Sequence, residues 1–157
     1  MKSLRTCVLC AALALCSLPS LAQNEQAPVN EPNLNKPRLF SALPDKISVN
    51  IAAFSDMLNS SPGRPALLSL SADQSQRFEG EVVSNSSKYD NKLQTVVIRS
   101  TNFSGARFTL SKVVNPDGQV VYRGRIISFA HGDLYELENQ AGEYKLVKKN
   151  FYDLVNE

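Results

Sequence analysis

The single histidine among 157 residues is His131, in the run Phe129-Ala130-His131-Gly132-Asp133. Asp133 lies close enough in the chain to orient its imidazole as a general base. The competing reading is a turn residue making a local hydrogen bond, and the surroundings favour it. No second histidine or cysteine completes a zinc set, and no HExxH occurs. Serines are plentiful, but no G-x-S-x-G places one on a nucleophile elbow. Glu79/Glu81 and Glu136/Glu138 sit at strand spacing, each pair projecting from one face. A polysaccharide-cleaving pair needs carboxylates opposed across a cleft, often beside aromatics, and the chain has no tryptophan. Asp90, Asp117 and Asp133 lack the alternating spacing of a calcium loop. The seven glycines are scattered, and none forms a phosphate cradle. The expectation is a non-enzyme with no cofactor and no metal.

Cationic side chains are the other chemistry on offer. Arg107, Arg123 and Arg125 fall on one face of a two-stranded stretch beside Thr109 and Ser111, and Lys145, Lys148 and Lys149 follow later. Such a face suits an acidic polymer or an acidic protein patch. It equally suits an ordinary solvated sheet, balanced by Glu79 and Glu81. Arg107, Arg123, Arg125 and His131 are therefore the candidate binding residues, with no catalytic or metal role assigned.

These residues need a scaffold, and residues 106–127 describe its centre. Phe108 and Leu110 alternate with Arg107, Thr109 and Ser111, and Val120, Tyr122 and Ile126 alternate with Val121, Arg123 and Arg125. A period of two, rich in β-branched and aromatic residues, predicts two half-buried strands. Between them Pro116 presets a turn and Gly118 accepts positive φ, so Pro116-Asp117-Gly118 is a three-residue loop. Asn115 then faces Gln119, Leu110 faces Gly124, Phe108 faces Ile126, Ser111 faces Arg123 and Thr109 faces Arg125. A one-residue slip would set apolar positions against the polar face.

Around this hairpin the pattern continues as strands at residues 67–70, 77–84, 93–99, 133–138 and 143–149. Residues 85–91 read as a polar loop, 101–105 as a turn, and Gln140-Ala141-Gly142 as another. Before the strands, Asn50 caps a helix over 51–59 whose stripe is Ile51, Phe54, Met57 and Leu58, and Pro62-Gly63 ends it. Leu39-Phe40 and Leu43-Pro44 open the domain, and Asn150 caps a last helical turn over 151–156. The predicted fold is mainly β (α+β): an antiparallel meander of six to seven strands with one short N-terminal helix. Its turns are too short for the crossovers a parallel sheet needs.

The chain's start reads as targeting rather than structure. Lys2 and Arg5 precede a short apolar run, residues 7–16, and Ser20-Leu21-Ala22 presents small residues for a signal peptidase. Cleavage after Ala22 is expected, with a lipoprotein at Cys16 as the alternative; the run is too short to span a bilayer. Cys7, Cys10 and Cys16 leave with it, so no disulfide or thiol chemistry remains. Lys2 and Arg5 leave too, which removes the formal charge of +2 and any general attraction to nucleic acid. Residues 1–22 are thus a signal peptide, 23–37 a disordered spacer, and 38–157 a single β-rich domain. The expected location is secreted, periplasmic or at the cell surface. N-x-S sequons stand at Asn59, Asn85 and Asn102.

With Leu39-Phe40, Leu43-Pro44, a short helix, GRIISFAHGDLYELE and YKLVKKNF, residues 39–149 resemble the propeptide-like N-terminal regions of exported zinc metalloproteases. No protease domain accompanies them here. The resemblance implies a stand-alone module that binds a protease or another exported protein, as an inhibitor or folding aid. A structural or adhesive protein that binds glycan or matrix through its sheet is the alternative.

Overall fold

The structure, a computed structural model, describes residues 35–71 and 74–154. In chain order its elements are β1 (Lys46–Ser48), α1 (Ile51–Leu58), β2 (Pro65–Ser69), β3 (Arg77–Lys88), β4 (Leu93–Ser100), β5 (Arg107–Val114), β6 (Val120–Ile127), β7 (Asp133–Gln140) and β8 (Glu143–Asn150), followed by a 3-10 turn over Phe151–Leu154. The predicted signal peptide and residues 23–34 of the predicted spacer lie outside the described residues, as do 155 and 156 of the last helical turn.

The β5–β6 hairpin has the predicted register at every position: Phe108↔Ile126, Thr109↔Arg125, Leu110↔Gly124 and Ser111↔Arg123. Its loop closes through Asn115 N–H to Gln119 C=O at 2.9 Å and Gly118 N–H to Asn115 C=O at 2.9 Å. Gly118 takes φ +84°, the left-handed conformation the turn requires. The meander runs on as expected through β7 and β8, joined by Ala141 and Gly142, both at positive φ.

Six to seven strands are predicted, and the sheet has eight, all antiparallel, in the order β1-β8-β7-β6-β5-β4-β3-β2. The additional strand is β1, which pairs Ile47 with Leu146 of β8. Three residues cannot display a period, so only the partner strand makes this segment recognisable. Residues 85–88 are a second departure from the reading. They extend β3 and pair with β4 through Asn85↔Val96, Ser86↔Thr95, Ser87↔Gln94 and Lys88↔Leu93. Their polar composition argues for a loop, but a long β-branched neighbour supplies the ladder. The register shifts between Val82 and Ser84, which bends this long strand.

The sheet curls as a half-barrel, and α1 crosses its inner side, packing on β4 and β5. Asn50 caps the helix as predicted, its side chain accepting the Ala52 N–H at 2.9 Å. Phe54, Met57 and Leu58 are buried, whereas Ile51 is left exposed, so the apolar stripe is shorter than the sequence indicates. An eight-residue helix is marginal alone. Burying three large side chains, at about 1.5–3 kcal/mol each, is what holds it. Ring contacts link Tyr135, Phe40, Phe103, Phe78, Phe108, Phe54, Tyr122 and Tyr144 in one continuous chain through this core.

The segment before β1 is strapped onto β7 and β8. Buried Asp133 accepts the N–H groups of Leu39 at 2.7 Å and Phe40 at 2.9 Å. The Tyr135 hydroxyl donates to the Pro44 carbonyl. Burial, with Asp45 and Asp133 nearby, pushes that hydroxyl's pKa well above the usual tyrosine value. Lys148 reaches Asp45 at 3.2 Å. Within the predicted spacer, Lys36 and Pro37 are already engaged, through Lys36 Nζ to Phe129 C=O and Gly132 N–H to Pro37 C=O, both at 2.9 Å.

Candidate functional site

β6 lies between two very different junctions. It pairs with β5 along its whole length, but with β7 only at Arg125↔Glu136, Ile126↔Tyr135 and Ile127↔Leu134. The loop after Ile127 draws the strands together at that end, with His131 N–H donating to Ser128 C=O at 3.1 Å. Beyond Arg125 the ladder stops. Towards the core, the Tyr144 hydroxyl of β8 accepts the Tyr122 N–H at 3.1 Å, filling a place a strand partner would otherwise take. On the outer face the separation opens a cleft of about 780 Å³.

Thr109, Ser111, Arg123 and Arg125 line one side of this cleft, and Glu136 and Glu138 line the other. Strand alternation puts all six on the same face. Arg125 donates to Glu136 at 2.6 Å. Lys149 of β8 bridges Glu136 at 3.0 Å and Glu138 at 2.8 Å. Burial raises the Glu136 pKa, but hydrogen bonds from Arg125 and Lys149 outweigh it and hold the carboxyl below the usual range. Glu138 is lowered by its bonds from Lys149 and Gln140, and Lys149 is raised by Glu138 and Glu136. Two carboxylates and two cations thus neutralise one another. Arg123 forms no ion pair among the described residues, so it is the lining cation left without a carboxylate. Ile127, Leu137 and the largely exposed ring of Phe129 supply its apolar surface.

The four candidate residues therefore separate. Arg123 and Arg125 meet in the cleft. Arg107 shares their face but lies outside the cleft, opposite Arg99 and Ile127. His131 Nδ1 sits 2.8 Å from the Ser128 hydroxyl, and Ser128 is 1 % exposed. No hydrogen bond joins His131 to Asp133, whose carboxylate accepts from Leu39 and Phe40 instead. The geometry is a local turn. Charge balance also differs from the reading: Glu81 stands 3.8 Å from Arg99, while the carboxylate that pairs Arg125 comes from β7. The sequence shows Glu136, Glu138 and Lys149 only as separate charged strand faces and gives Phe129 no role, so none of the four is among the candidate binding residues. Glu136 and Glu138 share a face by their spacing, but only the β6–β7 register sets them against the arginines.

Two sheet edges complete the surface available for binding. β8 is covered by β1, with flanking bonds from Val49 N–H to Tyr144 C=O and Lys148 N–H to Asp45 C=O. β1 and β2 are thus the two edge strands, each with a neighbour on one side only, and β2 is the longer at five residues against three. Leu70 N–H bonds to Gln76 C=O, so alternation turns the N–H and C=O of Leu67 and Ser69 away from β3. Leu67 is also 56 % exposed. Among the described residues no group of three His, Cys, Asp or Glu could hold a metal ion, and no helix is long and apolar enough to cross a membrane. The chain matches no protein family, no curated protein and no solved structure.

Proposed function

We propose that this chain is an exported, non-enzymatic binding module that meets a partner protein by pairing an extended segment of it onto the edge of β2. The observation carrying the reading is the β2 edge, five residues long with exposed Leu67, set against an opposite edge formed by β1, which is only three residues long. Outward N–H and C=O groups receive an added strand, and the side chain between them supplies selectivity. Proteases hold their peptides extended, so a secreted protease fits, in line with the propeptide-like character of residues 39–149. The module then acts as an inhibitor or a folding aid.

The test captures a partner from the native extracellular fraction and measures its affinity for variants at low and high salt. Leu67→Pro removes one outward N–H without touching the β2–β3 ladder and should abolish binding. Replacing Arg107, Arg123 and Arg125 by Ala should leave affinity nearly intact, with weak salt dependence. Strong salt sensitivity that disappears in the triple variant, with Leu67→Pro still binding, sinks edge pairing.

A second reading, an adhesive or structural surface protein that binds glycan through its sheet, has one observation in its favour. That observation is the β6–β7 cleft.

A further inference from the structure

Resting on that second reading, we propose that the β6–β7 cleft is a binding site for an acidic sugar chain, one built of uronic acid residues. Three features of the cleft select this chemistry. The first is charge. Arg125 and Lys149 are occupied by Glu136 and Glu138 at 2.6–3.0 Å, so Arg123 is the guanidinium left to accept an anion. One carboxylate of the chain matches that one unpaired guanidinium. A phosphate, with more negative charge, would meet the two glutamates without a second free cation.

The second feature is hydroxyl chemistry. Glu136 and Glu138 retain acceptor capacity that suits sugar hydroxyl donors. The Thr109 side chain stands opposite Arg125 on the adjacent strand, on the same wall as Arg123, and offers both a donor and an acceptor. Ser111 is committed to Thr95 at 2.9 Å, which fixes that wall. The third feature is Phe129, 70 % exposed at the cleft and braced by an edge contact with Phe151 at 6.1 Å. It presents a ring on which the apolar face of a sugar can rest. A guanidinium, two carboxylates, a hydroxyl and one aromatic platform match one uronic acid residue of such a chain, whose carboxylate and several hydroxyls lie on one ring, better than an acidic peptide residue, which offers the two carboxylates a single N–H.

The experiment titrates the folded domain with oligogalacturonate, with its methyl-esterified, neutral counterpart and with an oligoglutamate peptide, following amide NMR shifts and calorimetric affinity. The acidic oligosaccharide should bind with shifts at Thr109, Arg123 and Glu138. Arg123→Ala should weaken it roughly tenfold, as loss of one charge-assisted pair does. Arg107→Ala, on the same face but outside the cleft, should change it less than about twofold. Esterification should weaken binding as much as Arg123→Ala does. Absence of oligogalacturonate binding, or equal loss from Arg107→Ala, overturns the site. Equal binding of the neutral ester overturns the acidic class while leaving glycan recognition standing. Equal binding of oligoglutamate overturns the glycan reading itself.

Discussion

The two junctions of β6 use the same strand for opposite ends. Towards β5, eight consecutive pairs run from Arg107↔Ile127 to Val114↔Val120, and a three-residue turn fixes their register. Towards β7, three pairs suffice, and a tyrosine hydroxyl and a charged cleft take over where they stop. The difference lies in the connection. Pro116-Asp117-Gly118 dictates a register locally, whereas residues 128–132 form a wider loop tied to the preceding strap and to the 3-10 turn after β8, through Pro37 and Phe151. A closed junction holds the core together. A partly open one yields a concave surface with charges on both walls while the sheet remains continuous.

Truncating the closed junction should cost most. Phe108 is fully buried opposite Ile126 and touches Phe54 and Phe78, so Phe108→Ala should destabilise by about 3–5 kcal/mol in urea unfolding. Leu137→Ala, beside the cleft, should cost distinctly less, because the open side can relax. Equal losses would show that the two junctions carry equal load. Next in size, Gly118→Val should cost about 1 kcal/mol or more, since a β-branched residue resists φ +84°. Asp117→Ala should cost less, removing only its carboxylate's bond from Gln119 N–H at 2.9 Å.

On the open side, Tyr144→Phe removes the acceptor for Tyr122 N–H and should cost about 1 kcal/mol. Hydrogen exchange at Tyr122 should quicken while amides between β5 and β6 keep their protection. Unchanged exchange at Tyr122 would mean the hydroxyl does not stand in for a strand.

The smallest effect is electrostatic. Glu136 and Glu138 have lowered pKa values in the folded chain, so they bind protons more weakly than in the unfolded one. Their contribution is complete above the ordinary value of 4.5 and is lost as pH falls through the lowered values. The double variant Glu136→Gln/Glu138→Gln should therefore lose less stability between pH 7 and pH 3 than the wild type. An identical acid loss in both proteins would place the acid-labile groups elsewhere.

Much of this was legible in the residues. Alternation around Pro116-Asp117-Gly118 specifies two strands and their register, and Asn50 followed by Phe54, Met57 and Leu58 specifies a capped helix. β1 was not legible, because Lys46-Ile47-Ser48 is too short to carry a period. Nor was the end of β3, whose serines and asparagines become strand only beside β4. At the candidate site, the common face of Arg123 and Arg125 followed from spacing. Their separation from Arg107, and the role of Glu136 against Arg125, did not.

By itself, then, the sequence determined the local geometry: which stretches extend, where the hairpin turns, which face of each strand is apolar, and where the helix starts. These follow from side-chain period, φ preferences and capping, all acting within a few residues. Only the tertiary structure decided where the meander is left unpaired, because that depends on contacts between distant segments. β1 reaches β8 and so makes one edge a three-residue strand, while the other edge is the longer β2. Pro37, Asp133 and Phe151 tie down the ends of the β6–β7 connection, so that the ladder stops at Arg125. A ladder that stops leaves Arg123 without a carboxylate and makes a cleft from two strands that, read singly, present only ordinary charged faces.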